Sequence, residues 1–156
     1  MVNNLLLCID IQDQTMLLLA GKAAFLKRVN RIINAFRQAN QPIIYVCQAH
    51  RGHLYKGLII EDDAPIYTKQ HPSAFTNIEL ARRIQEEQPQ NIVVVGLMSQ
   101  ACVQATCKAA VQRKYSVVLV SDAHDSVIKP FRQYYNWRLT KLGIRCITTE
   151  VLLQEL

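Results

Sequence analysis

Four short apolar runs govern what this chain can fold into: residues 4–10 (NLLLCID), 43–47 (IIYVC), 91–95 (NIVVV) and 116–121 (SVVLVS). Each is short and rich in β-branched residues, which disfavours a helix. Each is apolar without alternation, so both faces of the strand must be covered. Strands of that kind belong in a parallel sheet with a helical layer on either side.

Helical patterns fall between the runs. Residues 22–39 place Phe25, Leu26, Val29, Ile32, Ile33 and Phe36 on one stripe. Residues 76–87 read as a helix stopped by Pro89. A third begins near Ala101, with Val103, Thr106, Ala110 and Val111 on one face. A fourth spans 131–142 and is capped by Gly143. Residues 65–68 make a short third strand ending at Lys69, and 144–148 make a sixth strand before a short terminal helix. Gly96 is read as ending strand four. Residues 48–64, with Gly52, Gly57 and acidic residues at 61–63, lack periodicity and read as a loop or lid. The sum predicts one α/β domain over residues 1–156. It is a three-layer, doubly wound, mainly parallel sheet of six strands in the order 3-2-1-4-5-6, with helices on both faces.

Half of the 156 residues are apolar, which argues against disorder. No apolar run is long enough to cross a bilayer, and the first ten residues run into a strand pattern without a basic leader, so a cytoplasmic protein without a membrane partner is expected. The formal net charge is +6, much of it between Lys108 and Arg145. No nucleic-acid-binding signature accompanies this excess, so it reads as a solvated helical surface and no nucleic-acid partner is expected. Five cysteines without a CxxC pair, mostly inside apolar runs, do not indicate disulfides.

In a doubly wound sheet, ligands bind beyond the carboxyl ends of the strands, where strand order reverses. With the order above, Asp10 ends strand one, Lys69 follows strand three and Cys102 follows strand four on one rim. Cys102 would sit at a helix start, where free amides and the helix dipole favour an anion. Its thiol is therefore expected to titrate below the usual value of about 8.5.

The residues LLLCIDIQ (Asp10, Gln12), YTKQHPSAF (Lys69, Ser73, Phe75), VVVGLMSQACVQAT (Gly96, Ser99, Cys102, Val103, Thr106) and VVLVSDA (Asp122) resemble the isochorismatase-like cysteine hydrolases. That group includes nicotinamidases, N-carbamoylsarcosine amidases and isochorismatases. The resemblance runs nearly end to end and implies a catalytic triad of Asp10, Lys69 and Cys102. It also implies a cis peptide between Leu97 and Met98, and an oxyanion hole from the amides of Met98 and Cys102. The implied reaction is hydrolysis of a C–N bond in a small amide-type substrate through a Cys102 thioester. Two other readings stay open: an ether hydrolase of the isochorismatase type, and a binding or redox-sensing protein on the same fold.

Residues expected around the small-molecule substrate are Gln12, Phe25, Gln48, His50 and Phe75. Nicotinamidases carry a metal-binding Asp-x-His where this chain has Gln48, Ala49 and His50, with His53 behind. Glutamine is a poor replacement for a carboxylate ligand, so neither metal nor cofactor is expected. Family resemblance also implies a homo-oligomer, for which Tyr134, Tyr135 and Trp137 are candidate contacts. Lys114 stands where relatives often have glycine.

Overall fold

The computed structural model describes residues 2–156. Its centre is a six-stranded sheet of β1 (Asn4–Ile9), β2 (Ile43–Gln48), β3 (Ile66–Lys69), β4 (Asn91–Leu97), β5 (Ser116–Asp125) and β6 (Arg145–Ile147). The order is β3-β2-β1-β4-β5-β6, and every pair is parallel. The six-stranded, doubly wound α/β architecture is as the apolar runs predict.

Six α-helices accompany the strands: α1 (Asp13–Met16), α2 (Lys22–Gln38), α3 (Ile78–Glu87), α4 (Gln104–Gln112), α5 (Pro130–Thr140) and α6 (Thr149–Glu155). One core layer packs Phe25, Val29, Ile32, Ile33 and Phe36 of α2, with Leu152 of α6, on one side of the sheet. The other joins Leu80 and Ile84 of α3, Cys107 and Ala110 of α4 and Leu139 of α5 to the opposite side. Along β1 alternate residues serve the two layers: Leu6 and Cys8 face one, Leu5, Leu7 and Ile9 the other. This is why the runs show no polar alternation.

Gly96 does not end β4. It lies within the strand, paired with Ile9 on one side and His124 on the other, beside a register shift that follows Val94. Its φ is 132°, and a Cβ there would stand 2.1 Å from the Ile9 carbonyl oxygen. Only glycine lets β1 and β4 approach so closely at the rim where their order diverges.

The segment between β2 and β3 is tied down rather than loose. Tyr45 donates its hydroxyl to the Ile59 carbonyl at 2.6 Å. Asn30 of α2 donates to the Gly57 carbonyl at 2.9 Å and accepts from the Ile59 amide at 3.0 Å.

Lys114 takes up the left-handed conformation at the end of α4, with φ 71°. There the Lys114 amide donates to Val111 at 2.9 Å and the Tyr115 amide to Ala110 at 3.1 Å. An L-residue is disfavoured in this position and glycine is not, though glycine also frees the unfolded chain. Lys114→Gly is therefore expected to stabilise the protein by about 0.5–1 kcal/mol, read as a higher urea midpoint at unchanged slope.

Candidate active site

β1 and β4 are neighbours from which the chain winds in opposite directions, so a crevice opens beyond their carboxyl ends. Asp10 leaves β1 in the left-handed region, φ 53°. That conformation is uncommon for a residue other than glycine and is held by the Asp10 amide's bond to the Val46 carbonyl at 2.9 Å. Lys69 ends β3, two strands from β1, with Gln48 of β2 as its register partner. Strands lie about 4.8 Å apart, so a long side chain is needed to reach across β2. Lysine supplies that reach.

The Lys69 ammonium donates to Asp10 Oδ2 at 2.9 Å, to Gln48 Oε1 at 2.6 Å and to Cys102 Sγ at 3.3 Å. Its three protons are thereby used. Lys69 and Asp10 are almost wholly buried, with side chains 0% and 2% exposed. Asp10 Oδ1 is buried without a hydrogen-bond partner, leaving one carboxylate oxygen free beside the sulfur's cavity.

Cys102 does not open the α-helix. It lies in a π-helical turn, Ser99–Val103, that precedes α4. Turns of this kind gather at functional sites because their looser winding re-aims side chains. The turn follows a cis peptide between Leu97 and Met98, as the resemblance implied. The Met98 carbonyl accepts from the amides of Ala101 at 3.1 Å and Val103 at 3.2 Å.

The expectation of a depressed thiol pKa is corrected here. Burial pushes the Cys102 thiol up to about 11; the nearby Asp10 charge adds to the rise, and Lys69 opposes it. Desolvation outweighs the helix-terminus effect because the sulfur lies in the turn, beneath the site's rim. Burial also raises Asp10, against the pull of Lys69. Each acid disfavours charge on the other, so the site holds one anion beside one ammonium. A carboxyl group is intrinsically the stronger acid, which leaves Asp10 ionised and Cys102 as a thiol at neutral pH.

The cavity above the sulfur measures about 280 Å³ and is lined by Asp10, Thr15, Gln48, Arg51, Pro72, Leu97, Met98, Ala101 and Cys102. Of the expected pocket residues, only Gln48 is among them. Phe25 is fully buried in the core on α2. Phe75 lies in the opposite core layer, its ring 6.1 Å from that of Tyr115 and beneath the Arg113 guanidinium at 4.7 Å. Gln12 is buried and spends its amide on the backbone, accepting from Gln48 at 2.8 Å and donating to Gln48 at 3.1 Å and Gly52 at 2.9 Å. His50 lines a neighbouring cavity of about 460 Å³ with His53 and Cys47, on the far side of Gln48. Among the described residues no group of three or more His, Cys, Asp or Glu is placed to hold a metal ion.

Sequence reasoning missed Arg51 at the cavity and a buried polar chain under the cysteine turn. Ser99, first residue of that turn, meets His124 Nδ1 at 2.8 Å, and His124 Nε2 meets Asn136 Oδ1 at 2.7 Å. Asn136 Nδ2 donates to the Ser121 carbonyl at 3.0 Å, which fixes Oδ1 towards the ring. The ring must then carry its proton on Nε2 and accept from the Ser99 hydroxyl at Nδ1. Burial lowers the His124 pKa to about 4, so the ring is neutral at neutral pH. Other motif residues serve the frame. Asp122 caps α6 by accepting from the Thr149 amide and hydroxyl at 2.8 and 2.7 Å, and Thr106 accepts from the Ala74 amide at 3.0 Å.

This sheet, its switch-point crevice and the Asp–Lys–Cys cluster define an isochorismatase-type α/β hydrolase frame, and the chain belongs to the isochorismatase family. The family model described as the isochorismatase domain matches residues 4–151. The uncharacterized isochorismatase family protein YddQ of Bacillus subtilis (strain 168) is 27% identical over 135 residues, covering 76% of this chain and 75% of that protein. An isochorismatase family protein from Desulfovibrio vulgaris superposes with a TM-score of 0.89 at 17% identity, over 97% of either chain. The Escherichia coli YcaC gene product, described as an octameric hydrolase of unknown specificity, matches with a TM-score of 0.89 at 19% identity, over 99% of this chain and 79% of that one. No helix of the described residues is long and apolar enough to cross a membrane.

Proposed function

We propose that this hydrolase cleaves the C–N bond of a small amide through a thioester on Cys102. The observation that carries the reading is a single ammonium, Lys69, bonded at once to the Asp10 carboxylate and the Cys102 sulfur at the floor of one cavity. A free thiol titrating near 11 is a poor nucleophile at neutral pH, so its proton must leave as the attack occurs. Asp10 Oδ1, buried and unpartnered, is the base for that transfer.

In the first half, the S–H proton passes to Asp10 while sulfur bonds to the amide carbon and the carbonyl electrons move to oxygen. The amides of Met98 and Cys102 are the donors proposed for that oxyanion, since both residues line the cavity. Collapse breaks the C–N bond, and the Asp10 proton leaves with the nitrogen as ammonia. In the second half, water gives a proton to Asp10 and its oxygen bonds to the thioester carbon. The C–S bond then breaks and sulfur recovers its proton. The balance is amide plus water to acid plus ammonia. Lys69 stays charged throughout and offsets the negative charge that moves between sulfur and carboxylate.

Ammonia release from a panel of short primary amides tests this reading, coupled to mass analysis of acid-quenched protein. The expected result is turnover with a transient acyl adduct mapped to the Cys102 peptide. Turnover with that peptide unmodified at every quench time would remove the thioester from the mechanism.

A homo-oligomer is also proposed. Its support is the octamer described for YcaC together with Tyr134 and Trp137, which are 48% and 56% exposed on α5.

A further inference from the structure

We infer that the amide substrate carries a carboxylate, which Arg51 holds at the mouth of the Cys102 cavity. This rests on the hydrolase reading above and deepens it to a substrate class.

Asp10 Oδ2 is bonded to Lys69, and Asp10 Oδ1 is reserved for the thiol proton. Thr15 spends its hydroxyl on the backbone at Asp10 and Gln12. The Gln48 side-chain oxygen accepts from the Lys69 ammonium at 2.6 Å and from the Cys102 thiol at 3.8 Å, leaving its amide nitrogen for a neutral acceptor. Pro72, Leu97, Met98 and Ala101 supply apolar wall. Arg51 alone brings a formal charge without an ion-pair partner among the described residues; its field reaches Asp10, which it helps to hold down, but Asp10 is already paired with Lys69. With Asp10 and Lys69 compensating each other, the cavity has a net positive mouth. A guanidinium with five unspent donors is the group best shaped to grip a carboxylate.

The position of Arg51 is built rather than incidental. His50, just before it, is in the left-handed region with φ 65°, which reverses the chain and sends His50 and Arg51 to different cavities. The turn is then strapped to the segment after β1. The Gln14 amide donates to the Arg51 carbonyl at 3.1 Å, the Asp13 amide to His53 at 3.0 Å and the Tyr55 amide to Ile11 at 2.9 Å. The Gln12 side chain donates to Gly52 at 2.9 Å. The backbone of Arg51 is thereby fixed to the same segment that carries Asp10. A cavity of about 280 Å³ is small beside typical ligand pockets of roughly 300–1,000 Å³, which limits the substrate to a short amide bearing one such anion.

The test uses two alkylating probes that differ in charge. Pseudo-first-order rates of Cys102 modification by iodoacetate and by iodoacetamide are measured at low salt, with 2-mercaptoethanol as the free-thiol reference. The expected iodoacetate-to-iodoacetamide ratio for Cys102 is about fivefold above that of the reference, as for one partly exposed ion pair. Arg51→Gln should bring the ratio down to the reference value, Arg51→Lys should keep part of it, and added salt should compress it. A wild-type ratio equal to the reference overturns the inference. So does an Arg51→Gln variant that slows both probes equally, because Arg51 would then act only through the charge of Asp10.

Ammonia release from succinamate and from butyramide separates the two levels of reading. Turnover of both without preference, with a flat probe ratio, removes the anion site and leaves the hydrolase. A raised ratio with no ammonia from any amide keeps the anion site and removes the hydrolase. Failure of both probes to modify Cys102 removes both readings.

Discussion

Replacing Lys69 by methionine is expected to cut amide turnover by roughly three orders of magnitude and to destabilise the fold by about 2–4 kcal/mol. The side chain keeps its length but loses the charge that Asp10, Gln48 and Cys102 share. Asp10 is already pushed up by burial, and Lys69 is the largest influence holding it down. Without the ammonium, the carboxyl takes a proton at neutral pH rather than remain as an unpaired buried anion. The base proposed for the Cys102 proton is then lost, and the thiol loses the one cation that favours its ionised form. The acidic limb of the pH–rate profile of residual activity, along which Asp10 must lose its proton, should shift upwards. A double variant, Lys69→Met with Asp10→Asn, should recover part of the stability and none of the activity, since it removes both members of the buried pair. Urea denaturation and ammonia release on the same preparations check both halves. Near-normal turnover in Lys69→Met would place the ammonium outside the chemistry.

The parts of this arrangement that were legible in the chain are those fixed by local pattern. Continuous apolar runs at 4–10, 43–47, 91–95 and 116–121 demand cover on both faces, which leads to a parallel sheet, and the strand order 3-2-1-4-5-6 then puts a crevice beside Asp10. The roles proposed for Asp10, Lys69 and Cys102 rest on resemblance rather than on spacing, because Lys69 reaches the crevice only by spanning β2. What failed was the facing of side chains. Phe25 and Phe75 adjoin site segments in sequence, yet both point into core layers. His50 and Arg51 are consecutive and equally polar, and a single left-handed residue decides which one meets the sulfur's cavity. The direction of the thiol's shift failed for a related reason. A helix start is visible in sequence, whereas the depth of burial that overrides it depends on the whole fold.

His124 illustrates the same limit and leads to the second large effect. In sequence it is one histidine after a strand; in the fold it joins Ser99 of the cysteine turn to Asn136 of α5 with no exposure to solvent. Its pKa falls to about 4 from an ordinary 6.5, mainly through burial. Between those values the unfolded chain holds a proton that the folded chain refuses. Stability contributed by the neutral ring is therefore intact above about pH 6.5 and is lost as pH falls towards 4. The difference corresponds to about 3 kcal/mol, from roughly 1.4 kcal/mol for each pH unit between the two values. Asp10, raised by burial, works in the opposite direction, so a simple acid titration of the wild type mixes the two. The comparison that isolates the ring is His124→Gln, whose amide can still donate to Asn136 but cannot gain a proton. Unfolding free energies from urea titrations at pH 7.0, 5.5 and 4.5 are expected to fall more steeply in the wild type, by about 2–3 kcal/mol over that range. Protonation would also turn Nδ1 from acceptor to donor and reverse its bond to Ser99, whose hydroxyl must turn to accept, so the rate of Cys102 alkylation should change in the same window in the wild type only. Parallel stability curves for the two proteins would mean that His124 takes up its proton without leaving the fold, and that the Ser99–His124–Asn136 chain is not what ties the cysteine turn to β5.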